Sequence, residues 1–279
     1  MSYQSISVEP ITPAIGAVIR KVNAGDTLST TVVDEIRRAF LEHQVIFLRD
    51  QTLSPKQLVA FAKNFGEIGF YPFVEGIEGQ PEVTEVIKKE NETINFGGLW
   101  HTDTSYLETP PLGSFLYALH VPDAGGDTLF ANMYLAYDSL SNGMKKLIEP
   151  LNGINSAEKP DAAVTRTNRM AERPKDAETI RTTSTHPLVR THPETGKKAL
   201  YCSRAHTTYI EGMTVEESAP ILDYLYQQQQ RPEFSCRFRW EAGSLAFWDN
   251  RAAQHNALND YHGFRRVMHR VTLKGEPPE

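Results

Sequence analysis

The stretch Phe264–Leu273, FRRVMHRVTL, decides the fold, because its residue types alternate along the chain. Successive side chains of a β-strand point to opposite faces, so Arg266, Met268 and Arg270 share one face. The apolar residues around them indicate a buried strand, and arginine is rarely buried without an anionic partner. The stretch therefore predicts an inner strand whose two arginines meet anions. Those anions are either acidic side chains in structural ion pairs or the charged groups of a ligand.

The same alternation recurs elsewhere in the chain. The segments that show it are 81–87 (PEVTEVI), 113–122 (GSFLYALHVP), 234–240 (FSCRFRW) and 244–248 (SLAFW). They are short and are separated by turns with Gly, Pro, Asn and Asp, which is typical of antiparallel sheets. We therefore predict a mainly β protein, a double-sheet barrel with helices packed on its outside.

Two of these flanking helices are predicted near the N-terminus. An apolar residue recurs at every fourth position from Leu28 to Phe40, which indicates an amphipathic helix. It leads into the apolar run Val45–Leu48, predicted to be a buried strand. A second helix is predicted to begin after Ser54 as its N-cap, with a proline at the first helical position, and to end at Gly66.

The second half of the chain contains another helix and a long irregular segment. Thr214 and Glu217 have the spacing of a capping box and predict a helix over 214–230. Residues 155–184 are polar and show neither period, so this segment is either an active-site lid or a surface insertion. No linker or repeat divides the sequence, and we expect residues 1–279 to form a single domain.

Charge and composition exclude several classes of partner. Acidic residues outnumber basic ones, 35 to 29, and there is no long basic run, so nucleic acid and anionic membranes are not expected as partners. The first residues show neither a basic start nor a long apolar run, so no signal peptide or membrane span is expected. Cys202 and Cys236 are then expected to be reduced thiols, and the protein to be cytoplasmic.

The segment Trp100–Pro111, WHTDTSYLETPP, contains a candidate metal-binding pair. On a strand, His101 and Asp103 would project to the same side, although such a pair alone is weak evidence for a metal. A third candidate, His255, is expected at the end of a strand in FWDNRAAQH. Two histidines and one carboxylate form the facial triad of non-haem Fe(II) oxygenases, and the lack of cysteine ligands argues against structural zinc. An inward arginine can hold the carboxylate of a dicarboxylate cosubstrate.

Matching motifs run through nearly the whole chain. They are 14–19 (AIGAVI), 40–51 (FLEHQVIFLRDQ), 65–69 (FGEIG), 100–111, 122–141 (PDAGGDTLFANMYLAYDSLS), 186–201 (HPLVRTHPETGKKALY), 247–255 and 265–275 (RRVMHRVTLKG). In these motifs the chain resembles the TauD/TfdA family of Fe(II)- and α-ketoglutarate-dependent dioxygenases, which includes taurine and aryloxyalkanoate dioxygenases. Segment 209–226 is similar to the (R)-aryloxypropionate branch. The resemblance implies a double-stranded β-helix, or jelly-roll, core and the use of Fe(II), α-ketoglutarate and O2.

The resemblance also implies roles for single residues. The catalytic iron ligands of the family match His101, Asp103 and His255. Thr128 in GGDTLF, by itself an ordinary turn-to-strand threonine, matches the residue that helps to bind the distal carboxylate of α-ketoglutarate.

Two arginines complete the implied site. Arg266 matches the arginine partner of that threonine. Arg270 matches the arginine that meets the sulfonate of the substrate in taurine dioxygenases.

The expected substrate pocket departs from the taurine pattern. Tyr71 in GEIGFYP replaces a histidine that taurine enzymes offer to the sulfonate, Gly97 replaces an asparagine and His206 replaces a phenylalanine. These departures argue against taurine as the substrate. The aromatic residues that could line a wider, more apolar pocket, with core packing as the alternative, are Phe70, Tyr71, Phe73, Phe96 and Tyr106.

The resemblance implies hydroxylation of a small organic anion, with succinate and CO2 as coproducts. The anion is a sulfonate, a sulfate ester or an aryloxyalkanoate or other carboxylate, and C–S or C–O cleavage follows where the hydroxylated carbon bears the heteroatom. The alternatives are taurine dioxygenase proper and a non-catalytic jelly roll that binds a small acid. A zinc hydrolase is disfavoured because it needs no inward arginine. The family also suggests a homo-oligomer, either a dimer or a tetramer.

Overall fold

The computed structural model describes residues 3–71, 73–164 and 181–279. Within these ranges the helices are α1 (Thr30–His43), α2 (Pro55–Ala62), α3 (Met133–Asp138), α4 (Asn142–Ile148), α5 (Pro160–Ala163) and α6 (Val215–Gln229). The strands are β1 (Ser7–Pro10), β2 (Ala17–Arg20), β3 (Val45–Leu48), β4 (Gly76–Ile77), β5 (Gln80–Lys88), β6 (Gly113–His120), β7 (Thr128–Asn132), β8 (Asn152–Ser156), β9 (Thr183–Pro187), β10 (Val189–Thr191), β11 (Lys198–Leu200), β12 (Thr207–Ile210), β13 (Ser235–Phe238), β14 (Leu245–Asp249), β15 (Ala253–Ala257) and β16 (Arg266–Thr272). None of the described helices meets the length and hydropathy needed to cross a bilayer.

The main sheet has eight strands in the order β1-β2-β3-β14-β6-β16-β5-β4. Its pairs are antiparallel except for β2 and β3, which run parallel. Strand β16, predicted from the opening stretch, is hydrogen-bonded to β6 on one side and β5 on the other. It is therefore an inner strand, as predicted.

A second sheet, β13-β7-β15, lies against the main sheet and closes the core. Phe47 of β3 stacks on Phe238 of β13, with ring centroids 3.8 Å apart. It also meets Phe130 of β7 edge-on at 5.5 Å. Because these contacts join strands of both sheets, the two sheets enclose one apolar core, as in a jelly roll. The predicted fold class is confirmed.

Helices α1 and α2 cover the outer face of the main sheet. Strand β3 explains how both faces are buried, since Val45 and Phe47 face the inner core while Ile46 and Leu48 face the helices. A strand buried on both sides reads as a continuous apolar run rather than as an alternating one. This is why the run between Gln44 and Arg49 lacks period two.

The remaining elements pack beside the barrel. The three-stranded sheet β12-β8-β9 and the pair β10-β11 accompany α3, α4 and α6. A separate apolar cluster, which includes Leu222 and Leu225 of α6, holds this part together. It borders the site described below through β12 and the turn that precedes it.

The three predicted helices are present, with one correction. Ser54 and Thr214 are N-caps, as predicted, and both have complete capping boxes, of which only that of Thr214 was predicted. Helix α2, however, ends at Ala62 and not at Gly66. The side-chain amide of Asn64 donates to the carbonyls of Ala60 and Phe61, so it competes with the next helical turn for those acceptors.

Candidate active site

Two backbone segments bring the three predicted metal ligands together. His101 and His255 form an isolated antiparallel bridge, in which each amide donates to the carbonyl of the other at 3.0 and 2.9 Å. The Nε2 atom of each imidazole lies 3.7 Å from Oδ1 of Asp103. Within the described ranges, these buried residues are the one group of three His, Cys, Asp or Glu side chains whose ligand atoms lie within 4.8 Å of one another.

The local backbone differs from the sequence prediction in two ways. His101 contributes a single bridge rather than a strand, and Asp103 is followed by Thr104, whose φ is 43°. A β-branched residue in the left-handed region costs about 1–3 kcal/mol, so the surrounding contacts override the local preference. His255 lies in the middle of β15, opposite Phe130 of β7, and not at a strand end.

Both histidines direct Nε2 toward the common point. Nδ1 of His101 lies 2.6 Å from the carbonyl oxygen of Leu99. A carbonyl only accepts, so Nδ1 carries the proton and Nε2 keeps its lone pair for a metal. Burial, followed by repulsion from His101, lowers the pKa of His255 well below its ordinary value, although Asp103 opposes this effect. His255 is therefore a neutral imidazole, the form that binds metals.

Asp103 completes the ligand set as a carboxylate. Burial alone would raise its pKa, but the charge of the Arg270 guanidinium, together with the hydrogen bond from Ser114, holds the pKa below its usual range. The 3.7 Å separations are too long for hydrogen bonds between the imidazoles and Oδ1. Two imidazole nitrogens and one carboxylate oxygen thus face one another unbonded, a donor set that fits Fe(II).

A cavity of about 460 Å³ adjoins the three predicted metal ligands, and both residues expected to bind α-ketoglutarate line it. Thr128 and Arg266 line it together with His101 and His255. Arg266 is buried, its pKa is lowered by burial, and its Nε and Nη2 atoms have no hydrogen-bond partner among the described residues. A buried guanidinium without an anion is unfavourable, so this cavity fits the carboxylate of a ligand.

The orientation of Thr128 supports the same use. Its hydroxyl oxygen accepts the indole N–H of Trp240 at 2.9 Å. The Thr128 proton is therefore directed away from that indole, and a carboxylate is a suitable acceptor. The face of Trp240 lies 5.5 Å from the Arg266 guanidinium and fixes one side of it.

The predicted substrate residues surround a further cavity, of about 390 Å³. Its lining includes Tyr71, Phe96, Tyr106, His206 and Arg270, as well as His101 and Asp103. His206 meets the Tyr106 ring edge-on at 4.9 Å, and its Nδ1 lies 3.1 Å from Oγ of Ser105.

Three other residues of this region need comment. Phe70 is 73% exposed and lines none of these cavities, so that expectation is wrong. Phe73 is buried against Tyr71 and Tyr106 and belongs to the packing behind the cavity wall. Gly97 has φ of 76°, and a Cβ there would lie 3.2 Å from the His101 ring, so even a small side chain would press on a ligand.

Arg270 combines the two possibilities left open by the sequence. Its Nη2 lies 2.7 Å from Oδ2 of Asp103, which is a buried ion pair, and 3.3 Å from Oγ of Ser114. It also lines the 390 Å³ cavity, and its guanidinium lies 5.3 Å from the Tyr71 ring centre. Its Nε has no partner in the described part of the chain. Arg270 thus contacts the predicted ligand Asp103 and also lines the 390 Å³ cavity.

The proposed lid segment is described only at its ends. Ala162 of α5 lines the 390 Å³ cavity, and β9 begins at Thr183. Residues 165–180 lie outside the described residues, so the choice between a lid and a surface insertion remains a prediction.

Sequence reasoning missed two polar residues beside the ligands. Ser114 donates to Oδ2 of Asp103 at 2.7 Å, and Asn250 donates to Ser114 at 3.1 Å. The available signal was the single hydroxyl on the inward face of an otherwise apolar strand, GSFLYALHVP. An isolated inward polar residue needs a partner, and the partner here is Asp103, one of the predicted ligands.

Comparison with known proteins agrees with this geometry. The family model described as "Taurine catabolism dioxygenase TauD, TfdA family" matches residues 7–272. An α-ketoglutarate-dependent sulfate ester dioxygenase of Pseudomonas putida is 35% identical, with 98% of this chain and 91% of that protein covered. An alkylsulfatase of Acinetobacter baylyi is 32% identical, with 98% and 86% covered.

A solved structure shows the same architecture. A taurine dioxygenase from Burkholderia xenovorans superposes with a TM-score of 0.84 at 36% identity, over 99% of this chain and 93% of that one. Family, relatives and fold agree over nearly the full length. The chain therefore belongs to the TauD/TfdA family, and it is an Fe(II)- and α-ketoglutarate-dependent dioxygenase that uses O2 and acts on small organic anions.

Proposed function

We propose that His101, Asp103 and His255 hold the Fe(II) ion, and that Thr128 and Arg266 bind the distal carboxylate of α-ketoglutarate. One observation carries this proposal: the 460 Å³ cavity contains two of the proposed ligands and a buried guanidinium, two of whose nitrogens have no hydrogen-bond partner in the described part of the chain. When bound, the metal and cosubstrate supply the oxidation, in which O2 and α-ketoglutarate yield succinate and CO2 while a substrate C–H becomes C–OH.

The protein's own contribution is orientation and exclusion of water. Arg270 attracts the anionic end of the substrate, while Tyr71, Phe96, Tyr106 and His206 form the wall around the rest of it. Because Arg270 also contacts Asp103, the substrate anion is held close to the metal. A fixed distance between the target carbon and the reacting centre is the main rate contribution that such a pocket can make.

We propose a sulfate ester as the substrate class. Two relatives over the full length are named for sulfate ester chemistry. The cavity supports this choice, because Tyr71 replaces the histidine expected beside a taurine sulfonate and the wall is aromatic. Hydroxylation of the carbon bonded to the ester oxygen gives an unstable adduct that loses sulfate and a proton and leaves an aldehyde, so C–O cleavage is the expected outcome.

Product analysis separates the candidate substrates. Purified protein with Fe(II), ascorbate, α-ketoglutarate and O2 is given an alkyl sulfate, an alkyl sulfonate, taurine, or either enantiomer of an aryloxypropionate. We expect the alkyl sulfate to give aldehyde and sulfate at the highest kcat/KM. Predominant sulfite would assign a sulfonate substrate, and predominant phenol would assign an aryloxyalkanoate.

Tyr71 provides a test of the pocket. We expect Tyr71→His to raise kcat/KM for taurine relative to the alkyl sulfate by about tenfold, because a hydrogen bond to a charged group contributes about 1.5–3 kcal/mol. Tyr71→Phe is the matched control, since it keeps the ring and adds no imidazole. Equal changes in both variants would show that an imidazole at position 71 does not reach the anion, and would contradict the role given to this position in discrimination against taurine.

Three further assignments accompany this function. We propose that residues 1–279 form one domain, which is supported by the presence of β1 and β16, from the two ends of the chain, in the same sheet. A dimer or tetramer is proposed from the family, and light scattering tests it. A reducing, cytoplasmic location is proposed, supported by Cys202 and Cys236, which are buried free thiols.

A further inference from the structure

The two oxygens of the Asp103 carboxylate have different surroundings. Oδ1 lies 3.7 Å from Nε2 of both His101 and His255 and makes no hydrogen bond with either. Oδ2 lies 2.7 Å from the Ser114 hydroxyl and 2.7 Å from Nη2 of Arg270. One oxygen is therefore bound by the protein, and the other faces the histidines.

The Ser114 hydroxyl has its direction fixed by its neighbours. Its oxygen accepts from Nδ2 of Asn250 at 3.1 Å and from Nη2 of Arg270 at 3.3 Å. A hydroxyl has one proton and two acceptor sites, so these two donors leave its proton for Oδ2 of Asp103. Ser114 has no exposed surface, so water cannot substitute for any of these partners at low cost.

The Asn250 amide is fixed in turn by a donor that cannot reverse. Its Oδ1 accepts the indole N–H of Trp248 at 3.0 Å and the backbone N–H of Asp103 at 3.4 Å. An indole N–H only donates, so the amide oxygen must face Trp248 and its NH2 group must face Ser114. The series Trp248, Asn250, Ser114, Asp103 thus has one possible set of donors and acceptors.

We propose that Ser114 and Asn250 are positioning residues that hold Asp103 with Oδ1 toward the histidines, so that it offers one oxygen to the metal. This rests on the proposed function, in which Asp103 is a ligand. Oδ2 already accepts from Ser114 and Arg270, so its use by a metal would displace at least one of these bonds in a buried environment. A carboxylate that used a single position would leave the open positions of a facial site to α-ketoglutarate and O2.

The test measures metal affinity without turnover. Mn(II) is titrated into purified, metal-free protein and followed by electron paramagnetic resonance. We expect Ser114→Ala to weaken Mn(II) binding about 10–100-fold, the usual effect of removing a partner of a metal ligand. Asn250→Ala should weaken it in the same direction but less, since Ser114 can still donate to Asp103. If Ser114→Ala does not fold, the Mn(II) affinity of Asn250→Ala provides the test.

Ser244→Ala is the matched control. Ser244 is also a serine without exposed surface, and its hydroxyl accepts from Arg49 at 2.7 Å and from the backbone N–H of Glu241. It precedes β14, whereas Ser114 pairs with Trp248 near the other end of that strand. Ser244→Ala should keep wild-type Mn(II) affinity, whatever its effect on the thermal midpoint of unfolding.

Failure of this inference and failure of the proposed function give different results. Wild-type Mn(II) affinity in folded Ser114→Ala, with binding lost in Asp103→Ala, would overturn the positioning role alone. Equal losses in Ser114→Ala and Ser244→Ala would also overturn it, since a general effect of core disruption would then explain both. Binding that is unchanged in Asp103→Ala would remove the ligand assignment and this inference with it.

Discussion

We expect Asp103→Ala to bind no Fe(II) at micromolar concentrations and to form no succinate above the enzyme-free background. The variant leaves two imidazoles, which lack the charge and the third donor that hold a divalent ion at this site. Both readouts are available, with metal content measured by a chelator assay and succinate by chromatography. The effect should be the largest of any single substitution in the protein.

The effect of Asp103→Ala on folding stability must be distinguished from its effect on metal binding. Asp103 and Arg270 are a buried ion pair, and removing one partner costs about 3–5 kcal/mol of folding free energy. Asp103→Asn keeps the volume and an acceptor for Ser114, so its apo form should fold more stably while metal binding is still impaired. A folded Asp103→Ala protein that retained Fe(II)-dependent succinate formation would refute the ligand assignment.

The second large effect is expected at Arg266. Arg266→Ala should raise the KM for α-ketoglutarate by about 100-fold or more and leave the KM for the organic substrate within about threefold. Loss of one partner of a buried charge pair costs about 2–5 kcal/mol of binding free energy. The KM of Arg266→Lys for α-ketoglutarate should lie between those of the wild type and Arg266→Ala, since an ammonium cannot hold a carboxylate through two parallel bonds.

Relative to the wild type, the stability of the metal-free protein should change differently in Arg266→Ala and in Arg270→Ala. Arg266 makes no ion pair within 4 Å among the described residues, so its removal relieves an uncompensated buried charge. Arg270→Ala instead leaves Asp103 buried without its cation. Thermal unfolding of the metal-free proteins should show Arg266→Ala at or above wild type and Arg270→Ala well below it. The reverse order would mean that the two arginine roles are exchanged.

The strand with two inward arginines was predictable because its pattern is local. The alternation over Arg266, Met268 and Arg270 directly predicts which face of the strand points inward. The N-caps at Ser54 and Thr214 are predictable for the same reason, because they depend on residues only a few positions apart. The partners of the arginines were not predictable from pattern alone. Arg270 meets Asp103 across the barrel, and no local rule distinguishes that ion pair from an empty anion site.

The errors lie where tertiary contacts override local preference. The turn after Asp103 requires a left-handed threonine at 104, which propensity disfavours, so the sequence favoured a strand there. His255 is expected at a strand end from the sequence, yet it lies in the middle of β15, where β7 pairs with it on one side and His101 on the other. The sequence predicts Phe70 to line a pocket or to pack in the core, but its side chain is exposed to solvent.

The first measurement to make is succinate release by the wild-type protein with Fe(II), O2 and α-ketoglutarate, with and without an alkyl sulfate. We predict that release requires all three, that the alkyl sulfate stimulates it strongly, and that sulfate appears in equal amount to the succinate formed above the unstimulated rate. Succinate formed equally after removal of Fe(II) would contradict the metal site of His101, Asp103 and His255, and succinate release that the alkyl sulfate does not stimulate would contradict the sulfate ester assignment.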